Sequence, residues 1–326
     1  MGKALEKQSD QEGARAAWEQ AQTLEPYGYY SERARDLLIG RAPFDPAPLV
    51  KLEYDLMAER AEAASWVRVA FGLPADTDLS GPGSLAADGR FVRGTELWEL
   101  GQYDQARVEF EALRSYVSIS PADSFRLGNY LIDIGLYRPG IFAVRQVLTL
   151  AGLESQADSL KSPPYFKHIR YGLYYRDLIE PAAQQNGFDT LFLFSVVRQE
   201  SLFEGFVRST AGARGLMQII PSTGASVAAE LGWPPNYHED MLYQPNVSVA
   251  LGARYLANNR DLLEGDLYAA LAAYNGGPGN AIAWLALAPE DPDLFLEVIR
   301  YSETRDYIRG IYELYNIDTG TYSPVQ

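Results

Sequence analysis

Gly94, Gly101 and Tyr103 recur as Gly128, Gly135 and Tyr137, each of them 34 positions further on. A fixed interval of this length belongs to helix pairs that cannot bury their apolar stripes alone and must stack on a copy of themselves. In the first copy Ala106 and Phe110 continue the pattern, and in the second Gly140 and Val144 stand at the same offsets, a weaker match. Residues 1 to about 153 therefore read as a helical solenoid. The remainder also gives helical signals: Asp189, Ser222 and Asn246 are N-cap candidates ahead of helical runs. No stretch alternates with period two between hairpin turns, so the reading is all-α throughout.

The 34-residue interval resembles that of the tetratricopeptide repeat. Ala14, Trp18, Ala21 and Pro26 have the spacing that closes such a repeat, whose first helix would need residues before Met1. Met1 to Gln8 carry neither an apolar stretch nor a small-residue cleavage site, so no export signal is read there. The expectation is a fragment, or a chain that begins downstream of its signal. Breaks fall at Gly40–Pro48, Ala75–Gly89 and Ala157–Tyr165, and Ser162-Pro163-Pro164 in the last favours extended backbone. Three segments follow: a tetratricopeptide-like α-solenoid over 1–156, a linker over 157–170, and a second domain over 171–326.

One carboxylate in that second domain is out of place. Leu193, Val196 and Val197 define an apolar stripe at i, i+3 and i+4, and the next position on it, i+7, is Glu200. A carboxylate on an apolar face loses hydration, which disfavours its charged form and prepares it to donate a proton near neutral pH. A structural ion pair with a nearby Arg is the competing reading of this residue taken alone.

Three ordered blocks follow Glu200: Gly215-Leu216-Met217-Gln218, Ala272-Ala273-Tyr274-Asn275 and Ser302-Glu303-Thr304-Arg305. With Arg198-Gln199-Glu200-Ser201 ahead of them, residues from about Tyr171 to Tyr315 resemble the soluble lytic transglycosylase family. The resemblance implies a lysozyme-like helical catalytic domain cleaving the β-1,4 bond between N-acetylmuramic acid and N-acetylglucosamine. It implies Glu200 as a single catalytic residue serving first as acid, then as base, with a 1,6-anhydro product. It also implies Ser209, Gln218, Tyr274, Asn275 and Glu303 as substrate-binding residues. Ser209 reads equally well as a backbone cap, and Glu303 nearly as well as an internal partner of Arg305 or Arg254. Met217 reads as packing, and Ile220 departs from a methionine common at that place in the family.

Glycoside hydrolysis ordinarily uses two carboxylates, and no convincing second one is visible. Glu204, four residues after Glu200, reads as a solvated residue at a helix end. A hydrolase of the lysozyme type, or a solenoid that binds glycan or protein without cleaving, are the alternatives. A formal charge of −15 disfavours nucleic acid as a partner. The expected partners are peptidoglycan strands and a possible protein on the solenoid, in an extracytoplasmic setting. Without Cys there are no thiolate sites. Asp76 to Gly81 begins like a calcium loop but meets Ala87 where a bidentate Glu is required, so neither metal nor cofactor is expected. The charge-free run Leu267–Pro289 contains Gly276 to Gly279 and reads as two helices meeting at a turn, not a membrane span.

Overall fold

The computed structural model describes residues 1–46, 49–159 and 161–323. Ala47 and Pro48, in the first expected break, Leu160, in the expected linker, and 324–326 lie outside the described residues. The regular elements are helices: α1 (Gly2–Lys7), α2 (Gln11–Ala21), α3 (Tyr29–Ile39), α4 (Leu56–Ala70), α5 (Gly89–Glu99), α6 (Tyr103–Tyr116), α7 (Pro121–Asp133), α8 (Tyr137–Leu150), α9 (Gln156–Ser159), α10 (Pro164–Arg170), α11 (Arg176–Asn186), α12 (Thr190–Ser201), α13 (Pro221–Leu231), α14 (Pro245–Leu262), α15 (Leu267–Gly276), α16 (Pro278–Leu285), α17 (Pro292–Val298) and α18 (Ser302–Tyr322). Among the described residues, extended pairing is limited to isolated bridges joining Arg208 to Arg214 and Arg214 to Ile219. The chain divides into two compact units, one of Met1–Lys51, Tyr175–Ser201 and Val207 onward, the other of Leu52–Tyr174 with Leu202–Phe206.

The second unit contains the repeated helix pairs α5–α6 and α7–α8. A Cβ on Gly94 would lie 2.9 Å from the Phe110 ring, and one on Gly128 would lie 2.5 Å from Val144 Cγ2. The interval of 34 thus repeats a close helix approach that only glycine permits. The turns repeat as well: Gln102 N–H donates to Leu97 O and Leu136 N–H to Leu131 O, both at 2.8 Å. The expected linker over 157–170 is not a linker, because Tyr165, Phe166 and Ile169 of α10 are buried with Phe125, Val144 and Val147. Pro164 occupies the first turn of α10, where its missing N–H costs nothing, so the Pro pair starts a helix instead of breaking one.

In the first unit, residues 1–51 depart from the expected boundaries by packing with the C-terminal helices. Tyr29 N–H donates to Glu313 (2.7 Å), Arg33 to Asp293 (2.8 Å), and the Tyr312 hydroxyl to buried Asp36. Phe44 packs edge-on among Phe192, Tyr268, Tyr312 and Tyr315, at centroid distances from 4.9 to 5.6 Å. The helical period of α3 shows which face is apolar, not which helices cover it. Before α2, where the repeat reading required residues ahead of Met1, α1 places Gly2 against Trp18. Asp189 caps α12 as expected, accepting from Phe192 N–H at 3.0 Å. Ser222 and Asn246 are not caps: Pro221 and Pro245 begin α13 and α14, so the caps are Ile220 and Gln244. The run from Leu267 to Pro289 forms α15 and α16, meeting at Gly277.

Candidate active site

Leu191 to Arg198 of α12 are all buried, and Glu200 follows at the point where the helix reaches a cavity of about 780 Å³. Its side chain is half-buried. Tyr307 of α18 donates its hydroxyl to Glu200 Oε1 at 2.5 Å. Burial pushes the carboxyl up to about 8, and the Tyr307 hydrogen bond pulls weakly the other way by favouring the ionised form. Tyr274 of α15 donates to Met217 O at 2.7 Å, with the Tyr255 ring 5.2 Å from its own. Burial raises both the Tyr274 and Tyr307 phenols well above their usual range, and nearby Glu200 adds to this. They remain hydroxyl donors while Glu200 titrates.

All six residues expected at a site, Glu200, Ser209, Gln218, Tyr274, Asn275 and Glu303, line this one cavity. Gly215 makes the loop before Gln218 possible: its φ is 76°, and a Cβ there would stand 1.9 Å from Leu242 O. Gln218 itself holds φ 46°, a strained value for a side-chain-bearing residue, and its amide donates to Gly215 O at 2.8 Å and Val207 O at 3.3 Å. Ser209 Oγ accepts from Ala213 N–H at 3.0 Å, so it caps backbone at the cavity wall. Asn275 Oδ1 accepts from Thr304 at 2.7 Å. Glu303 is exposed, while Arg305 donates to Ile299 O and Arg254 to Glu230, so neither expected internal partner engages it. Met217 is fully buried, and Ile220 lines the cavity half-exposed.

Tyr307 was not foreseen from sequence, nor was Asp306, which also lines the cavity. The signal for Tyr307 lay in helix spacing, since it stands four residues after Glu303 on α18. Among the described residues, every charged one lining the cavity is a carboxylate: Glu200, Glu303 and Asp306. Glu204 corrects the sequence reading. It is 2 % exposed, not solvated, because α12 ends at Ser201 and Glu204 meets Arg138 at 3.2 Å and Arg107 at 3.5 Å within the second unit. Burial pushes its carboxyl up, opposed by Arg107 and then Arg138.

Tyr307→Phe is expected to lower turnover on the order of tenfold and to move the alkaline limb of the pH profile upward, because it removes the donor that favours ionised Glu200. A pH–rate profile of the folded variant checks both the size and the sign.

The family model for the transglycosylase SLT domain matches residues 177–293, a span that carries Glu200 and the cavity's Gln218 and Tyr274. Over this segment the chain is similar to the transglycosylase SLT domain. Over 150 residues it is 31% identical to the soluble lytic murein transglycosylase of Salmonella typhimurium, covering 45% of this chain and 23% of the relative. Over 152 residues it is 33% identical to a putative soluble lytic murein transglycosylase of Haemophilus influenzae, covering 43% and 24%. Among solved structures, the 70 kDa soluble lytic transglycosylase of Escherichia coli aligns over 98% of this chain and 44% of its own, with TM-score 0.68 and 21% identity. The structure of an inactive mutant of the lytic transglycosylase Slt from Pseudomonas aeruginosa aligns over 97% and 44%, with TM-score 0.64 and 22% identity. The fold is thus all-helical like theirs, N-terminal helical region included. The matched stretch spans about a quarter of the length of these curated relatives.

Proposed function

We propose that the chain is a peptidoglycan lytic transglycosylase acting outside the cytoplasm, with Glu200 as its acid and base. The observation that carries this reading is the Glu200 carboxyl, pushed to about 8 inside a cavity lined by all the expected polar side chains. At neutral pH such a group is protonated and can donate to the leaving glycosidic oxygen. The bond from the muramoyl anomeric carbon to that oxygen breaks as the substrate's own acetamido oxygen attacks the carbon. Glu200, now ionised and accepting from Tyr307, takes the proton of the muramoyl 6-hydroxyl as that oxygen closes on the anomeric carbon. The acetamido group is released and no water enters. Ser209, Gln218, Asn275 and Glu303 are proposed to hold the sugars' hydroxyl and acetamido groups, with Tyr274 beside the acid.

Hydrolysis is the second reading, favoured by the two other carboxylates that line the cavity, Glu303 and Asp306. Mass spectrometry of the products separates them. Anhydro ends, lighter than hydrolysed ends by the mass of one water, are expected; reducing ends without the anhydro form would replace the transglycosylase reading with the hydrolytic one.

A further inference from the structure

Thr304 is buried in the first turn of α18, in the first unit together with Asn275 near the end of α15. A threonine inside a helix can return its hydroxyl to the carbonyl four residues back. For Thr304 that residue is Arg300, which precedes the helix, and the hydroxyl donates instead across to Asn275 Oδ1 at 2.7 Å. Asn275 is exposed on the cavity wall. With its amide oxygen engaged by Thr304, its NH2 end is left for the cavity. Among the described residues that nitrogen donates to no protein group.

The reversed amide is disfavoured by its consequence for Thr304. With NH2 against it the hydroxyl would have to accept, and its own buried hydrogen would lose the acceptor it now has, which is the costly way to break a hydrogen bond. Neighbouring donors are already engaged: the Gln218 amide gives to Gly215 O and Val207 O, Tyr274 to Met217 O, and Tyr307 to Glu200. Glu303 and Asp306 offer acceptors, which can pair with the hydroxyls of a glycan. The carbonyl oxygens of a glycan can only accept, and they require a donor such as the Asn275 NH2.

We infer that Thr304 is a positioning residue that fixes the Asn275 amide with its NH2 toward the cavity, where it donates to a carbonyl oxygen of the bound strand; this rests on the transglycosylase reading of the same cavity. Thr304 acts on the substrate through Asn275 and not by contact.

The test uses the full chain and soluble, uncrosslinked glycan strands, with affinity measured in a Glu200→Gln background where chemistry is blocked. Thr304→Val keeps the shape and removes the donor, and is expected to weaken strand affinity on the order of tenfold, the scale of one neutral hydrogen bond. Thr304→Ser retains the hydroxyl and should retain the affinity. In an Asn275→Ala background Thr304→Val should cause no further loss, because the two residues act as one. With Glu200 restored, Thr304→Val should raise KM by the same factor and leave kcat and the Glu200-governed limb of the pH profile in place. Unchanged affinity in folded Thr304→Val, a loss that persists in Asn275→Ala, or a Thr304→Ser protein that binds as weakly as Thr304→Val would overturn the inference. A second measurement serves if Thr304→Val does not fold. The side-chain NH2 resonances of Asn275, assigned by their absence in Asn275→Ala, should shift when isotope-labelled Glu200→Gln protein is saturated with strands; unmoved resonances would overturn the inference equally. Absence of strand binding by the Glu200→Gln protein itself would remove the transglycosylase reading, and this one with it.

Discussion

Glu200→Gln is expected to lower strand cleavage by a hundredfold or more on the scale of general acid–base catalysis, while strand binding survives. The amide keeps the shape of the carboxyl and loses the proton that the proposed reaction moves twice. The same substitution should stabilise the protein at alkaline pH. Glu200 titrates near 8 in the folded chain against an ordinary 4.5, so the native state binds more protons than the unfolded state between those values. Stability therefore falls as pH rises from about 4.5 to about 8, and glutamine removes that loss. Because the carboxyl retains some solvent access, the gain above pH 8 is on the order of 1 to 3 kcal/mol. Product assays together with thermal midpoints of both proteins from pH 5 to pH 9 provide the check. Residual cleavage near the wild-type rate, or a stability difference that shrinks with rising pH, would show that Glu200 is not the buried acid.

Removing residues 1–51 should unfold the unit that carries the candidate active site, even though none of its proposed catalytic or binding residues is lost. In a chain starting at Leu52, the Tyr312 hydroxyl loses Asp36, Asp293 loses Arg33, and the aromatic pocket around Phe44 opens. Emptying an aromatic site alone costs about 3 to 5 kcal/mol, and the Arg33–Asp293 ion pair and the Tyr29–Glu313 hydrogen bond are lost with it. Together these approach the whole stability of an ordinary domain. Circular dichroism and thermal melts of the Leu52–Gln326 chain should show the cooperative transition of the second unit and none from the first, with no cleavage. A shorter chain from Tyr165 should be inert for the same reason. A Leu52–Gln326 protein that melts in two transitions and cleaves normally would refute this account of the first unit's core.

These two outcomes divide along what the residues themselves disclose. Glu200 was legible because local period places it on a buried stripe, and helix periodicity needs no knowledge of distant residues. The repeat was legible because Gly94 and Gly128 carry the same steric requirement at the same spacing. Tyr307 was hidden because an aromatic at a buried helical position is ordinarily packing, and its hydroxyl's partner lies 107 positions away. Glu204 was misread for a related reason: nothing near it in sequence supplies Arg107 or Arg138. The destination of α3 was equally hidden, since an apolar face does not name its cover.

The first unit closes on itself across almost the entire chain, with Tyr29 and Glu313 separated by 284 positions and Asp36 and Tyr312 by 276. Contacts of that span form late, because the entropy of closing so long a loop must be met before the contacts repay it. A chain emerging from its amino end delivers α3 long before α18. During that interval Arg33, Asp36 and Phe44 have no partners from the far end, whereas Leu52–Tyr174, lacking only five later residues of its unit, is already complete enough to fold. The second unit is thus the part that can take shape early in synthesis, and the cavity holding Glu200 is completed only once α18 has arrived.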